Sequence, residues 1–562
     1  MRTRVLAAAG LALALAGCGT FDAARTDAPA AVEAAPPGPP MSAAALAHHT
    51  RILSSDAFEG REPGTAGETK TTDYLVAAFK AAGLQPGWNG QWLQPTPLLE
   101  AAVQGAPALT VTAADGPKSY AYRTDQVVWT KRPQGAQSLA DAPLVFVGYG
   151  VVAPEQGWND YAGVDMAGKI AVILVNDPDF ETPAGHPTHG KFGGKAMTYY
   201  GRWTYKFEEA GRQGAAGALI VHETGPAAYP WAVVESSWTG PQFDTKRQGD
   251  GSDRVQVEGW IQQAAAADIL HRAGADFATL KAAAQRPGFR AVPIAAKGAL
   301  TLATEIKETV SNNVVALLPG REAPDEAVLY GAHWDHLGRC TPVDGDDICN
   351  GALDNASGTS GLIELARRFA QEGPARRSVL FVAFTAEEQG LLGSAYYALN
   401  PAIPANRTVA AVNMDGAALN GATRDVIVVG YGKSEIEDLL ARYAQAQGRA
   451  IKPEEFPERG SFYRSDHFNL AKAGIPVLYA SGGIDLVNGG AARGAALQAD
   501  YVARRYHKPQ DEFDPAWDYT GQQQDLQLFY QVGRTYADGT QWPNWKPTAE
   551  FHAIREASRR TP

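Results

Sequence analysis

The tightest constraint on this chain is the pattern that begins at Asn313. Short β-branched runs at 314–318, 328–332, 379–384, 409–413, 426–429 and 477–479 alternate with helix-period segments at 358–371, 394–399 and 435–446. Strands separated by helices pair side by side when each helix carries the chain back to the same end of the sheet. The pattern therefore predicts an α/β fold with a mixed, mainly parallel sheet and helices on both faces. In such sheets ligands bind beyond the carboxyl ends of the strands. A site is thus to be sought in the residues that directly follow the apolar runs.

Those residues are polar and of a particular kind. The run 328–332 leads into His333-Trp334-Asp335-His336, 379–384 into Thr385-Ala386-Glu387-Glu388, and 409–412 into Asn413-Met414-Asp415. Asp354 opens Asp354-Asn355-Ala356-Ser357-Gly358 just ahead of a helix. His, Asp and Glu in this mixture are a zinc ligand set. One zinc is served by three protein ligands and a water. A second zinc close by needs a bridging carboxylate, and such a pair holds a hydroxide and polarises a scissile carbonyl. A further carboxylate must take the proton of the water and pass it to the leaving amine. Adjacent Glu387 and Glu388 can fill both needs, one as ligand and the other as base. Singly, each motif has a plainer reading: a helix cap at Asp354, a solvated turn at the glutamates, a structural histidine at 333. Four such clusters at one edge of one sheet outweigh those readings.

The succession GAHWDH, GALDNASG, FTAEEQGLLGS, VNMDG and RYHKPQDEFD resembles the co-catalytic di-zinc aminopeptidases, a superfamily that includes glutamate carboxypeptidase and the transferrin-receptor ectodomain. The resemblance covers most of 310–540 and the helical segment 41–85. It implies a zinc exopeptidase fold with two zinc ions and peptide substrates. Carried over motif by motif, it implies His333 and Asp415 as ligands of one zinc, Glu388 and His507 as ligands of the other, and Asp354 as the bridge. It implies Glu387 as general base and Asp335 as the carboxylate that orients an imidazole ligand. The fold also hosts glutaminyl-cyclase-like acyl transfer on one zinc, against which the intact His333 and Asp415 speak. Carboxypeptidase or dipeptidase action is the nearer alternative to an aminopeptidase, and would need cations to clasp a terminal carboxylate.

Other positions carry less. His336 is expected in a surface or loop role. Ser465-Asp466-His467 resembles a segment beside the active site, with Asp466 and His467 as candidates for substrate contact or for supporting a ligand. Asp344, Asp346 and Asp347 lack the spacing of an EF-hand loop and read as an exposed acidic loop.

The rest of the chain reads as export signal, tether and insert. Arg2 and Arg4 precede an apolar run at 5–16, too short to span a bilayer, which leads into Leu15-Ala16-Gly17-Cys18. That tetrapeptide resembles the bacterial lipobox. The expectation is a lipoprotein signal at 1–18, a disordered Ala/Pro tether at 19–40, and a lipid anchor on Cys18 at the periplasmic face of a membrane. The peptidase region is expected at 41–139 and 296–562. Between them, 140–295 reads as an inserted α/β module resembling the protease-associated domain, shaping access to the site without binding metal. The net charge of -11 argues against nucleic acid as a partner. Of three cysteines, Cys340 and Cys349 remain in a Gly/Asp-rich loop, where an oxidising compartment makes a disulfide the default.

Replacing Cys18 with Ser is expected to abolish lipidation and release the protein from the membrane fraction. A Cys18→Ser protein that is processed and retained like the parent would refute the anchor.

Overall fold

The computed structural model describes residues 38–560 apart from 248 and 250. The expected signal at 1–18, its Cys18 and nearly all of the tether lie outside the described residues. Among the described residues no helix is long and apolar enough to cross a membrane.

The alternating region folds as a mixed, mainly parallel sheet. Strand Ala323–His333 lies inside it, with Arg377–Phe384 parallel on one side and Thr408–Asn413 parallel on the other. Val477–Gly482 extends the parallel set beyond Thr408–Asn413, followed by Asp425–Val428 and Ala450–Pro453. On the other flank, the end of strand Val292–Leu318 pairs antiparallel with Arg377–Phe384.

The two-residue period of a strand sorts the side chains. Val328, Tyr330, Val379 and Phe381 share one core with Leu46, Leu365, Phe369 and Phe529. These partners lie on helices Ala43–Leu53, Gly358–Glu372 and Thr520–Asp538. The intervening Leu329, Leu380, Val382 and Phe384 pack on the opposite face with Phe468 and Leu470 of helix His467–Lys472. Covered on both faces, Arg377–Phe384 and Thr408–Asn413 are buried along their whole length and Ala323–His333 from Ala327 on, which is why they read as unbroken apolar runs.

A second core draws on residues from Leu109 to Leu302. Its parallel strands Ile170–Leu174, Gly217–His222 and Val257–Gln262 are flanked by Ala136–Phe146 and Gln126–Trp129. This core begins earlier than the expected boundary at 140, because hairpin strands before that point pair into it. Nor does the chain break at 295. Strand Val292–Leu318 is 27 residues long and runs on into the peptidase sheet. Leu93–Gln104 pairs with it over most of its second half. A continuous ladder thus joins insert and peptidase region where composition alone marks a change of texture.

The glycine-rich turn at 59–67 places a cation that the sequence does not advertise. Arg61 is 1 % exposed. Its guanidinium donates to the carbonyls of Leu53, Trp334, Asn350 and Gly351 at 2.7, 2.8, 2.6 and 2.9 Å. Two of these belong to the loop entering Asp354, and one to the loop after His333. Burial lowers the Arg61 pKa to about 10, and the carboxylates of Asp335, Asp354, Asp511 and Glu388 oppose that fall. The adjacent Gly60 has φ 68°, and a Cβ there would meet the carbonyl oxygens of Gly338 and Cys349 at 2.5 and 2.6 Å. Cys340 and Cys349 are disulfide-linked, closing the hairpin of Gly338–Val343 and Asp346–Cys349.

Arg61→Met keeps apolar bulk but strands four buried carbonyls. It is expected to lower stability by about 3 kcal/mol or more, read from the midpoint of chemical unfolding. A loss below about 1 kcal/mol would mean that these loops hold themselves. Replacing both Cys340 and Cys349 with Ser is expected to cost about 2–3 kcal/mol, as for a short closed loop. Two free thiols in the native protein, found by mass spectrometry, would remove the basis for that loss.

Candidate metal centre

Three parallel strands end at one edge, and each delivers acid or imidazole there. His333 closes its strand, Glu387 and Glu388 follow Phe384 on a turn, and Asp415 follows Asn413. The backbone bends sharply to do this. Ala386 and His507 take φ of 51° and 57°, a left-handed conformation unfavourable for residues with a Cβ.

Asp354 enters from the loop that Arg61 holds. Its Oδ1 lies 3.4 Å from His333 Nε2, and its Oδ2 lies 3.3 Å from His507 Nε2. His333 Nε2 is also 3.3 Å from Asp415 Oδ1. His507 Nε2 is 3.1 Å from Glu388 Oε2. One carboxylate therefore turns its two oxygens to two different donor sets.

These spacings fit a metal. Donors at about 2.0–2.1 Å on tetrahedral zinc stand about 3.3–3.4 Å apart, and the separations here are 3.1–3.4 Å. His333, Asp354 and Asp415 form one group able to hold an ion, and His336, Asp354 and Glu388 another. His336 departs from the expected surface or loop role. It is 1 % exposed, and its Nδ1 lies 2.6 Å from Glu388 Oε1. Glu388 thus turns one oxygen to His507 and the other to His336.

Electrostatics make the same demand for positive charge. Burial by itself would lower His333, but Glu387, Asp415 and Asp354 raise it well above its ordinary value. Burial likewise opposes protonation of His507, yet Asp354 and Glu388 lift it to about 10. Burial and Asp354 push Glu388 up, and His336 and His507 overcome them to bring it to about 2. Two positions between carboxylates therefore attract a proton or another cation. Glu387 differs. Burial, with the charges of Asp415, Glu388 and Asp466, holds it well above the usual carboxylate range despite His333. It has no ion-pair partner among the described residues, and it lines a cleft of about 2200 Å³ together with Asp354, Glu388, Asp415 and His507.

Supporting residues hold this geometry. Asp335 is fully buried and accepts the backbone N–H of Glu387 at 3.1 Å and of Glu388 at 3.3 Å. Its Oδ1 lies 3.8 Å from His333 Nδ1, which is 3.2 Å from the Asp335 carbonyl. Asp335 so braces the glutamate turn as well as the imidazole. Asp511 accepts the backbone N–H groups of Leu353 and Asp354, at 3.1 and 3.0 Å, and the Tyr501 hydroxyl at 3.2 Å. Asn355 ties the same loop to the Asp415 turn through the Met414 carbonyl and the Gly416 N–H. Tyr506 stacks on His507 at 3.9 Å between ring centroids. Arg61, Asp511, Asn355 and Tyr506 were not singled out in the sequence. An acidic residue four after His507, within RYHKPQDEFD, was the available signal for Asp511.

Asp466 and His467 are buried beside this centre. Asp466, raised to about 7 by burial, feels the charges of His333, Asp335 and Asp415. His467 packs between the rings of Phe462 and Tyr479, each at 4.7 Å, and burial lowers it to about 3. It is a neutral packed ring outside the ligand set.

Comparison with known proteins covers the stretch of chain that holds these residues. Residues 313–530 match peptidase family M28. A "Probable zinc metalloprotease" of Pyrenophora tritici-repentis is 29% identical over 236 residues, 41% of this chain and 51% of the relative. "Aminopeptidase NAALADL1" of Mus musculus is 30% identical over 146 residues, 24% of this chain and 18% of the relative. The chain thus spans about half the length of the first of these and less of the second. Among solved structures, the aminopeptidase from Aneurinibacillus sp. strain AM-1 is 20% identical with a TM-score of 0.45, covering 88% of this chain and 94% of that one. His333, Asp335, Asp354, Glu387, Glu388, Asp415 and His507 all fall inside the segment that matches peptidase family M28.

Proposed function

We propose that this chain is an exported zinc exopeptidase, an aminopeptidase that removes N-terminal residues from peptides with two zinc ions. His333, Asp354 and Asp415 would hold one zinc, and Asp354, Glu388 and His507 the other. The observation that carries the reading is the division of the two Asp354 oxygens between separate donor sets. Zinc bound there supplies a Lewis acid for the scissile carbonyl and lowers the pKa of water. The remaining work falls to the chain. Glu387 takes the proton of the attacking water on its carboxylate and returns it to the leaving amine, and its raised pKa suits both halves of that transfer. Asp335 keeps the glutamate turn and the His333 ring in register. Tyr506 limits rotation of His507.

Relatives bear both aminopeptidase and glutamate carboxypeptidase names. A complete donor set around His333 and Asp415 favours two metals over the one of glutaminyl-cyclase-like acyl transfer. The insert, read as a protease-associated domain, walls one side of the cleft and so shapes access. An export signal with Cys18 lipidated would place the enzyme at the periplasmic face, and the Cys340–Cys349 bridge agrees with an oxidising compartment.

Amino-acid p-nitroanilides are expected to be hydrolysed with zinc present, and N-blocked dipeptides left intact. The reverse preference would make the enzyme a carboxypeptidase, and elemental analysis finding one zinc or none in active protein would end the two-metal reading.

Glu387→Gln keeps shape but cannot accept a proton. Zinc content and KM are expected to persist while kcat falls by about 10²–10⁴-fold or more. Glu388→Gln is expected to lose zinc first, because a neutral amide is a poor zinc ligand. Loss of metal in Glu387→Gln with retention in Glu388→Gln would reverse the two roles.

A further inference from the structure

Thr385 opens the turn that carries Glu387 and Glu388, and it is gripped through its backbone and its side chain. Its N–H donates to Asn313 Oδ1 at 2.9 Å, and its carbonyl accepts the Gly393 N–H at 2.9 Å. A Cβ at Gly393 would stand 2.2 Å from that carbonyl oxygen, so only a residue without one lets helix Leu392–Leu399 close on the turn. The Thr385 hydroxyl lies 2.5 Å from the hydroxyl of Ser311. Ser311 precedes, and Thr385 follows, the end of the ladder at which Val314 pairs with Ala383. Both residues are fully buried.

Ser311 leads on to Glu68, in the first turn of helix Ala66–Ala81, three residues after its cap Thr65. That spacing is a capping box, in which the glutamate reaches back to the N–H of the capping residue. Glu68 reaches elsewhere. Its Oε2 accepts the Gly64 N–H at 2.5 Å and the Ser311 hydroxyl at 2.8 Å, and its Oε1 accepts the Asn312 amide at 2.9 Å. Glu68 is 5 % exposed and has no ion-pair partner among the described residues. Burying a carboxyl group without a cation costs free energy. The helix start does not require it, because Thr65 Oγ1 accepts the Gly67 N–H at 3.1 Å.

The hydroxyls form a directed chain. Each has one proton to donate. That of Ser311 goes to Glu68, so the contact with Thr385 is made by the Thr385 proton. The carboxyl group thereby sets the direction of the chain and, through it, the orientation of the Thr385 side chain. At its other end Gly64 belongs to the turn of Arg61, which holds the carbonyls of Asn350 and Gly351 ahead of Asp354. Beside Ser311, the Asn312 carbonyl accepts the Trp334 indole N–H at 3.0 Å, next to His333. Glu68 so joins the glutamate turn to the two loops that carry Asp354 and His333.

We propose that Glu68 is a positioning residue that sets the glutamate turn, and with it Glu387, through the hydroxyls of Ser311 and Thr385. The inference rests on the peptidase reading for what Glu387 does there. Whether the chain holds the turn is read separately from activity.

Thr385→Val matches the side-chain shape and removes the donor, whereas Thr385→Ser keeps it. With zinc present and amino-acid p-nitroanilides as substrates, Thr385→Val is expected to lower kcat by on the order of tenfold at unchanged KM and zinc content, and Thr385→Ser to restore most of it. Glu68→Ala frees the Ser311 proton to turn towards Thr385. It is expected to lower kcat in the same way, with no further loss when combined with Thr385→Val. Thr385→Val gives a result even if Glu68→Ala fails to fold. Amide hydrogen exchange, followed by mass spectrometry on the full chain with zinc and after its removal, reads the turn itself. In Thr385→Val the segment 385–393 is expected to exchange about tenfold faster, while strand Gly217–His222 of the insert keeps its rate. Unchanged exchange at 385–393 overturns the positioning role, and so does faster exchange with kcat unchanged. A Thr385→Ser protein as impaired as Thr385→Val overturns it too. A parent that cleaves neither p-nitroanilides nor N-blocked dipeptides ends the peptidase reading, and the exchange result still decides whether the chain holds the turn.

Discussion

Everything at the sheet edge depends on keeping several carboxylates together out of water. Asp335, Asp354 and Glu387 are buried, Glu388 is half-buried beside them, and Asp511 lies behind. Like charges at these separations repel, and burial penalises each charge. Such a cluster persists only where cations lie among its members. Arg61 is one, held by four backbone carbonyls. The other two positions lie on either side of Asp354, where His333 and His507 are driven to hold protons. Those are the places where zinc would neutralise the cluster and free both imidazoles to act as ligands.

The fold meets that constraint by bringing chain ends of unrelated local structure to one place. The parallel register aligns His333 with Phe384, and Gly331 with Asn413, so three strands deliver their polar residues at the same height. The Asp354 loop has no such ladder to place it. Arg61 holds it from one side and Asp511 from the other, through backbone groups in both cases. Holding by backbone leaves both Asp354 oxygens available to face the two donor sets.

The insert is joined to the peptidase sheet by continuous strand pairing and by side-chain packing. Tyr199 packs against Phe468 and Phe551, and Met197 sits in the core beneath them. The strand Val292–Leu318 belongs to both cores. A wall built this way is tied to the region that carries the candidate metal centre.

The sequence by itself determined the mainly parallel sheet, its central parallel strands to within a few residues, and the chemistry at the strand ends. Two-residue and helical periods are local properties, and a residue that follows a strand must emerge at the sheet edge. That logic found His333, Glu387, Glu388 and Asp415, the polar cluster ahead of a helix added Asp354, and motif resemblance added His507 and the role of Asp335. The tertiary structure decided what depends on contact between distant segments. It separated Glu388, between two histidines, from its neighbour Glu387, which faces the cleft. It buried His336 beside Glu388, carried the second core back to Leu109, and placed Arg61 on a carbonyl 273 residues away. No local pattern encodes these, because a buried charge is identified by what surrounds it, and its surroundings come from all parts of the chain.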